Sequence, residues 1–103
     1  MRVKDVVILD RAAEDLEAGK LFYNEREWGI GDYFIDCLIS DIASLRMYAG
    51  IHSSHFGYLR MLSKRFPFGI YYQIDDQLAL VVAVLDLRRN PDSIRRVLLQ
   101  NRQ

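Results

Sequence analysis

Ala79-Leu80-Val81-Val82-Ala83-Val84-Leu85 is apolar at every position. A run that short and that rich in valine is a strand buried on both faces, or one at the centre of a sheet, because a strand with one wet face would alternate. It lies inside a strand predicted over Leu78–Leu87. On its N-terminal side, Asp75-Asp76-Gln77 is a tight turn leading back to a strand over Phe66–Ile74, which opens with Phe66-Pro67-Phe68-Gly69. Tyr58–Leu62 is a shorter strand of alternating character, and Ala49–Gly57 is a polar loop containing glycine. On the C-terminal side, Asn90-Pro91-Asp92 starts a last helix, with Asn90 as cap and Pro91 at the first helical position; Ile94, Val97 and Leu98 are its apolar stripe.

The N-terminal half is built differently. Val3–Leu9 reads as a first strand, with Val6, Val7 and Ile8 in a row. Asp10 is the expected N-cap of the helix that follows, and Glu14 and Asp15 sit early in it, where the helix dipole favours acids. Ala12, Leu16, Gly19 and Tyr23 recur at helical spacing to about Arg26. Trp28-Gly29-Ile30-Gly31-Asp32 is a break, with Asp32 expected to cap a second helix. That helix carries the stripe Phe34, Leu38, Ile42 and Leu45, widened by Ile35 and Ile39. The short link implies an antiparallel helical hairpin. The order β-α-α-β-β-β-α defines an α+β fold: an N-terminal strand, then a helical hairpin packed on a small antiparallel sheet, then a short C-terminal helix. A single domain over 1–103 is expected, with no repeats or low-complexity segments.

At 103 residues, half of them hydrophobic, the chain has enough apolar surface for one core and too little length for two. The lone Cys37 forms no internal disulfide, and the composition suits the cytosol. The start, Met1-Arg2-Val3-Lys4-Asp5, runs into an apolar stretch too short for a signal peptide, and no run approaches a bilayer span. A cytoplasmic protein without membrane contact is expected. Formal net charge is zero, but it is unevenly spread. Asp10, Glu14, Asp15, Glu17, Glu25, Glu27, Asp32, Asp36 and Asp41 lie in the first half; Arg60, Lys64, Arg65, Arg88, Arg89, Arg95, Arg96 and Arg102 follow. A polyanionic partner would meet the C-terminal half; the plainer alternative is a set of solvated arginines on strand ends and a last helix.

The element order and several motifs together resemble the RelE/ParE toxin superfamily. Gly29-Ile30-Gly31-Asp32-Tyr33-Phe34 is similar to the glycine pair and phenylalanine at that family's second helix. More specific are Arg60-Met61-Leu62, then Arg65-Phe66-Pro67-Phe68-Gly69-Ile70-Tyr71-Tyr72, then an apolar strand running out into Arg88-Arg89-Asn90-Pro91. The Arg-Phe-Pro-Phe step and the Arg-Arg-x-Pro exit look like the ParE branch. Two features depart from it. Leu87 stands where many ParE-like toxins have histidine, and Tyr48-Ala49-Gly50-Ile51 stands where a proline is common. Neither departure disturbs the expected fold.

The resemblance implies the toxin of a type II toxin–antitoxin pair, with no cofactor or metal. In its ParE form such a protein binds DNA gyrase, blocks replication and needs no catalytic residue of its own. In its RelE form it cleaves messenger RNA on the ribosome, which requires fixed positive charge at the phosphate and a general acid and base. Arg60, Lys64, Arg65, Arg88 and Arg89 are the candidate target-binding residues under either reading. RelE-like nucleases have a tyrosine or histidine near the last strand or helix, and Asp86–Gln103 contains neither. Zero net charge also suits ribosomal RNA poorly, so the ParE reading is preferred.

Tyr71 and Tyr72 should face opposite sides of their strand, one in the core and one on the sheet surface. His52 and His55 are either an exposed loop pair, the preferred reading, or a source of one general base; with no third ligand at suitable spacing they make a poor metal site. Cys37 is most simply a small buried hydrophobe. For Arg88 and Arg89 two readings stand: one pairs with Glu14 or Asp15 while the other stays free, or both serve the target. The implied partner is a cognate antitoxin with a segment that folds on binding, in a hetero-oligomer. Phe22, Tyr23, Ile35 and Ile39 exceed a narrow core stripe and are its candidate contacts.

Overall fold

The structure is a computed structural model and describes residues 2–101. Met1, Arg102 and Gln103, with the Arg102 charge counted above, lie outside the described residues. The elements are β1 (Asp5–Ile8), α1 (Asp10–Arg26), α2 (Ile30–Ala43), α3 (Leu45–Tyr48), β2 (Ser54–His55), β3 (Tyr58–Leu62), β4 (Phe68–Asp75), β5 (Leu78–Asp86) and α4 (Pro91–Gln100). The strands form one sheet in the order β1-β5-β4-β3-β2. The α+β fold, the helical hairpin and the C-terminal helix are as expected.

The expected antiparallel sheet is in fact mixed, because β1 pairs parallel with β5, Asp5 opposite Leu78 through Ile8 opposite Val81. Three helices and three strands separate β1 from β5, which leaves the strand direction free of any hairpin constraint. The loop expected over Ala49–Gly57 contains β2, whose two residues pair with Tyr58 and Leu59. β4 begins at Phe68 rather than Phe66: Pro67 has no N–H for a ladder, and the Phe68 N–H turns back to the Phe66 carbonyl at 2.7 Å. The β4–β5 turn is a two-residue link in which Asp76 and Gln77 both have left-handed backbone, φ 48° and 67°, the geometry that matches strand twist in a tight hairpin.

Each face of β5 is covered. Ala79, Val81 and Val84 join the core beneath the hairpin with Leu16, Phe34, Leu38, Ile42, Ile70 and Tyr72. Val82, Ala83 and Leu85 join a second cluster with Tyr58, Tyr71, Ile94 and Leu98, so α4 covers the opposite face. A bulge makes the switch: Tyr71 faces Ala83, Tyr72 faces Val81, and Val82 is the extra residue. Tyr71 and Tyr72 do face opposite ways, but both are core, 1% and 0% exposed. The sheet-surface position expected for one of them does not exist, because the last helix lies over it.

Two of the three expected helix caps differ. The Asn90 side chain caps α4 as expected, accepting from Asp92 N at 2.8 Å. Asp10 lies inside α1 and caps nothing; the N-cap is Leu9, whose N–H is held by the Val81 carbonyl at 3.0 Å. Asp32 lies in the first turn of α2, and the cap work is done from α1 instead. Asn24 Oδ1 accepts from Gly29 N at 3.2 Å and from Gly31 N at 2.7 Å. Gly31 is obligatory there, since a Cβ would lie 2.2 Å from the Lys20 carbonyl oxygen.

Asp15 was one expected partner of the paired arginines. Its carboxylate instead accepts from Val84 N at 2.9 Å and from Arg11 Nε at 2.9 Å. β1 ends opposite Val81, and beyond that point Asp15 takes the place of a missing strand partner. Burial raises the Asp15 pKa above the ordinary 3.8, against the lowering effects of the Val84 N–H and Arg11. A raised carboxylate favours folding most below its unfolded value, and the contribution declines as pH rises through the folded one. Asp15→Asn keeps an acceptor for Val84 and removes the charge; Asp15→Ala leaves the N–H alone. In urea unfolding at neutral pH, Asp15→Ala should cost about 1–3 kcal/mol and Asp15→Asn clearly less; equal losses would remove the role given to Val84.

Candidate functional site

α1 runs alongside β5 in the same direction. Leu9 is bonded to Val81, Asp15 to Val84, and the Tyr23 hydroxyl to Arg88 Nη2 at 3.2 Å. The loops Ser63–Pro67 and Leu87–Asn90 lie at that same end of the sheet, tied together by Leu87 N–H to the Pro67 carbonyl at 2.8 Å. Lys64, Arg65, Arg88 and Arg89 are therefore brought to one end, beside the hairpin.

Buried Asp41 of α2 anchors the first loop: its Oδ2 accepts from Ser63 Oγ at 2.7 Å and from Lys64 N at 3.2 Å. Phe66 locks it further, its ring 5.0 Å from those of both Tyr23 and Phe34. Lys64 and Arg65, both exposed, border a cleft with Asp36, Cys37 and Ser40. Neither cation forms an ion pair among the described residues. Cys37 is half-buried against the core.

The paired arginines behave differently from each other. Arg88 forks onto Asp86, Nε to Oδ1 at 2.9 Å and Nη2 to Oδ2 at 2.7 Å, while its backbone N–H meets the same Oδ1. The fork holds the Asp86 carboxyl below its ordinary value and raises the guanidinium pKa. Neither arginine forms an ion pair with Glu14 or Asp15 among the described residues, so that expected pairing is corrected: the acid two residues upstream of Arg88 is closer than any on the helix. Arg89 is exposed and lines a cleft with Asp15, Phe22, Phe68 and Asp86.

Arg60 lines one cleft with Lys64 and His52. It sits in β3 opposite Tyr71, and its stem crosses Gly69, where a Cβ would lie 3.2 Å from Arg60 Cδ and 3.1 Å from Leu87 Cδ2. Its Nε is enclosed and has no hydrogen-bond partner among the described residues. His55 lies near it: burial, then the Arg60 charge, lower the His55 pKa. His55 Nε2 is 3.0 Å from Ser53 Oγ.

His52 lines the same cleft as Arg60 but is held by a core tyrosine. The Tyr72 hydroxyl accepts from Gly50 N–H at 2.9 Å, which leaves the phenol proton for His52 Nδ1 at 2.5 Å. Burial lowers the His52 pKa and raises that of Tyr72. With Tyr48, Ile51, Met61, Leu62 and Lys64, His52 lines an open cleft of about 600 Å³ along the edge of β3. Nothing in the sequence periodicity marked this cleft; its one signal was a run of apolar side chains, Tyr48 and Ile51, at the entry to a loop read as polar.

The four apolar candidates for a partner contact divide in two. Tyr23 and Ile35 pack against the core. Phe22 and Ile39 are 37% and 41% exposed, but they line separate clefts, Phe22 beside Arg89 and Ile39 beside Val6 and Ile8 of β1.

No family model matches the sequence, and no curated protein matches it. In structure, 78% of this chain aligns with 91% of a chain solved as "Chromosomal ParDE TA system from P. aeruginosa", at a TM-score of 0.71 and 16% identity. The class of protein defined at this point is one of architecture, a helical hairpin and a C-terminal helix on opposite faces of a five-stranded mixed sheet. That architecture is the ParE-like fold. Among the described residues, no helix is long and apolar enough to cross a membrane.

The Asp86–Arg88 fork fixes the second loop, and its sign with pH is defined. A lowered carboxyl stabilises above its unfolded value and loses that contribution as pH falls through the folded one. Asp86→Asn should therefore be less stable than the wild type near neutrality, with the gap in urea midpoint closing below about pH 3.8, the ordinary carboxyl value. A gap that persists unchanged into acid would show that the fork contributes nothing.

Proposed function

We propose that this chain is the toxin of a type II toxin–antitoxin pair, of the ParE kind, which binds DNA gyrase and arrests replication until a cognate antitoxin covers it. The observation that carries the reading is the ParE-like fold with Lys64, Arg65 and Arg89 at one end of the sheet and without an ion pair among the described residues. Fixed cations on two mutually bonded loops suit a DNA-bearing target, and inhibition by binding asks for no acid–base pair. The two strand tyrosines are core and offer no proton to a substrate. The antitoxin contact is proposed to include Phe22 and Ile39, the two exposed members of the apolar set, giving a hetero-oligomer in the cytoplasm.

In a gyrase supercoiling assay, protein freed of antitoxin should abolish supercoiling and accumulate cleaved DNA. Alanine at Lys64, Arg65 or Arg89 should weaken inhibition about tenfold or more with the fold retained. Folded wild-type protein that arrests growth and leaves supercoiling intact would overturn the gyrase target.

One observation favours a second reading, a RelE-like ribosome-dependent endoribonuclease. His55, its pKa lowered, lies near Arg60, whose Nε has no partner among the described residues, and together they join a general base to a phosphate-binding cation. His55→Ala should then abolish messenger RNA cleavage in a translating extract; on the gyrase reading the same change leaves inhibition intact.

A further inference from the structure

Trp28, the single tryptophan of the chain, is 92% exposed. It occupies the link between α1, which ends at Arg26, and α2, which begins at Ile30. The link is rigid: Asn24 Oδ1 grips Gly29 N and Gly31 N, and Gly31 lets α2 close onto the Lys20 carbonyl. Since Tyr23 already reaches Arg88 beyond the end of β5, the tip projects past the sheet at the end that carries the basic loops. Glu25, Glu27, Asp32 and Asp36, all exposed, surround it in sequence on the two helices. Against these four acids stand two bases, Lys20, paired with Asp32 at 3.6 Å, and Arg26, 3.4 Å over the Phe22 ring, so acid remains in excess around the link.

An indole held outward costs solvation free energy that folding does not recover, and tryptophan is the residue most often found as an interface anchor. We propose that Trp28 is a docking anchor that enters an apolar pocket rimmed by lysine or arginine on the toxin's target protein. The inference rests on the toxin reading above. Charge complementarity selects the occupant. The acidic rim repels nucleic acid and an anionic membrane surface, whereas a protein that handles DNA presents the basic surface the rim fits. The same end of the molecule then meets a protein–DNA assembly with both signs: acids and Trp28 toward the protein, Lys64, Arg65 and Arg89 toward phosphate. Rigidity lowers the ordering cost of docking.

The test is expression of the antitoxin-free chain, wild type or with Trp28→Ala, from an inducible promoter at matched levels, together with 19F NMR of the purified protein carrying 5-fluorotryptophan at its one site. Trp28→Ala should keep its urea midpoint, lose growth arrest, and inhibit gyrase at least tenfold more weakly than the wild type. The fluorine resonance should shift or broaden on adding gyrase holoenzyme, less so at high salt. Growth arrest by Trp28→Ala equal to the wild type overturns the anchor. So does a resonance that moves with antitoxin alone, or with the protein's own concentration, either of which assigns the tip elsewhere. If wild-type protein arrests growth without affecting gyrase, the gyrase reading fails by itself, and the growth arm still decides for or against the anchor.

Discussion

The strand Leu78–Asp86 carries the molecule. It is hydrogen-bonded to β1 on one side and β4 on the other, and apolar side chains leave it in both directions. A strand without a wet face demands cover on two sides, so the hairpin takes one face and α4 the other. The bulge at Val82 shifts which side chains serve each cover. Where β1 runs out, a carboxylate from α1 completes the hydrogen bonding of the exposed strand edge, and with Leu9 on Val81 it holds α1 along β5. The Trp28 tip is thereby carried to the end of β5 where the basic loops lie.

Much of this could be read from the residues because periodicity survives folding. The stripes Phe34–Leu38–Ile42–Leu45 and Ile94–Leu98 are buried as their spacing requires, and Asn90-Pro91 starts a helix by purely local chemistry. What failed were inferences that treated a side chain as serving its nearest neighbours. Asp10 and Asp32 have the right chemistry for caps, but Leu9 is already held by a strand, and Asn24 reaches across the link from the preceding helix. Parallel pairing of β1 was invisible for the same reason: no local pattern distinguishes an edge strand that runs parallel from one that runs antiparallel.

The candidate site was half legible. Charge segregation placed the cations in the C-terminal part of the chain, and the fold collects four of them at one end. Sequence could not show that Arg88 is occupied by Asp86, two residues away, while Arg89 forms no ion pair among the described residues. Nor could it separate His52, tied to a core tyrosine, from His55, which sits near Arg60. Histidines three apart look equivalent until the sheet edge divides them.

The parallel pairing of β1 with β5 also bears on how the chain comes to be folded. Asp5 meets Leu78 across about 70 residues of intervening chain, so closing that contact carries a large loop entropy and cannot precede synthesis of β5. The helices, made first and held by local hydrogen bonds, must wait with their apolar stripes open until the central strand arrives. During that interval the growing chain offers a sticky surface and no completed arginine end. Its harmful capacity, on the reading given above, arrives late and all at once, and a partner made alongside it would have the whole interval in which to intercept it.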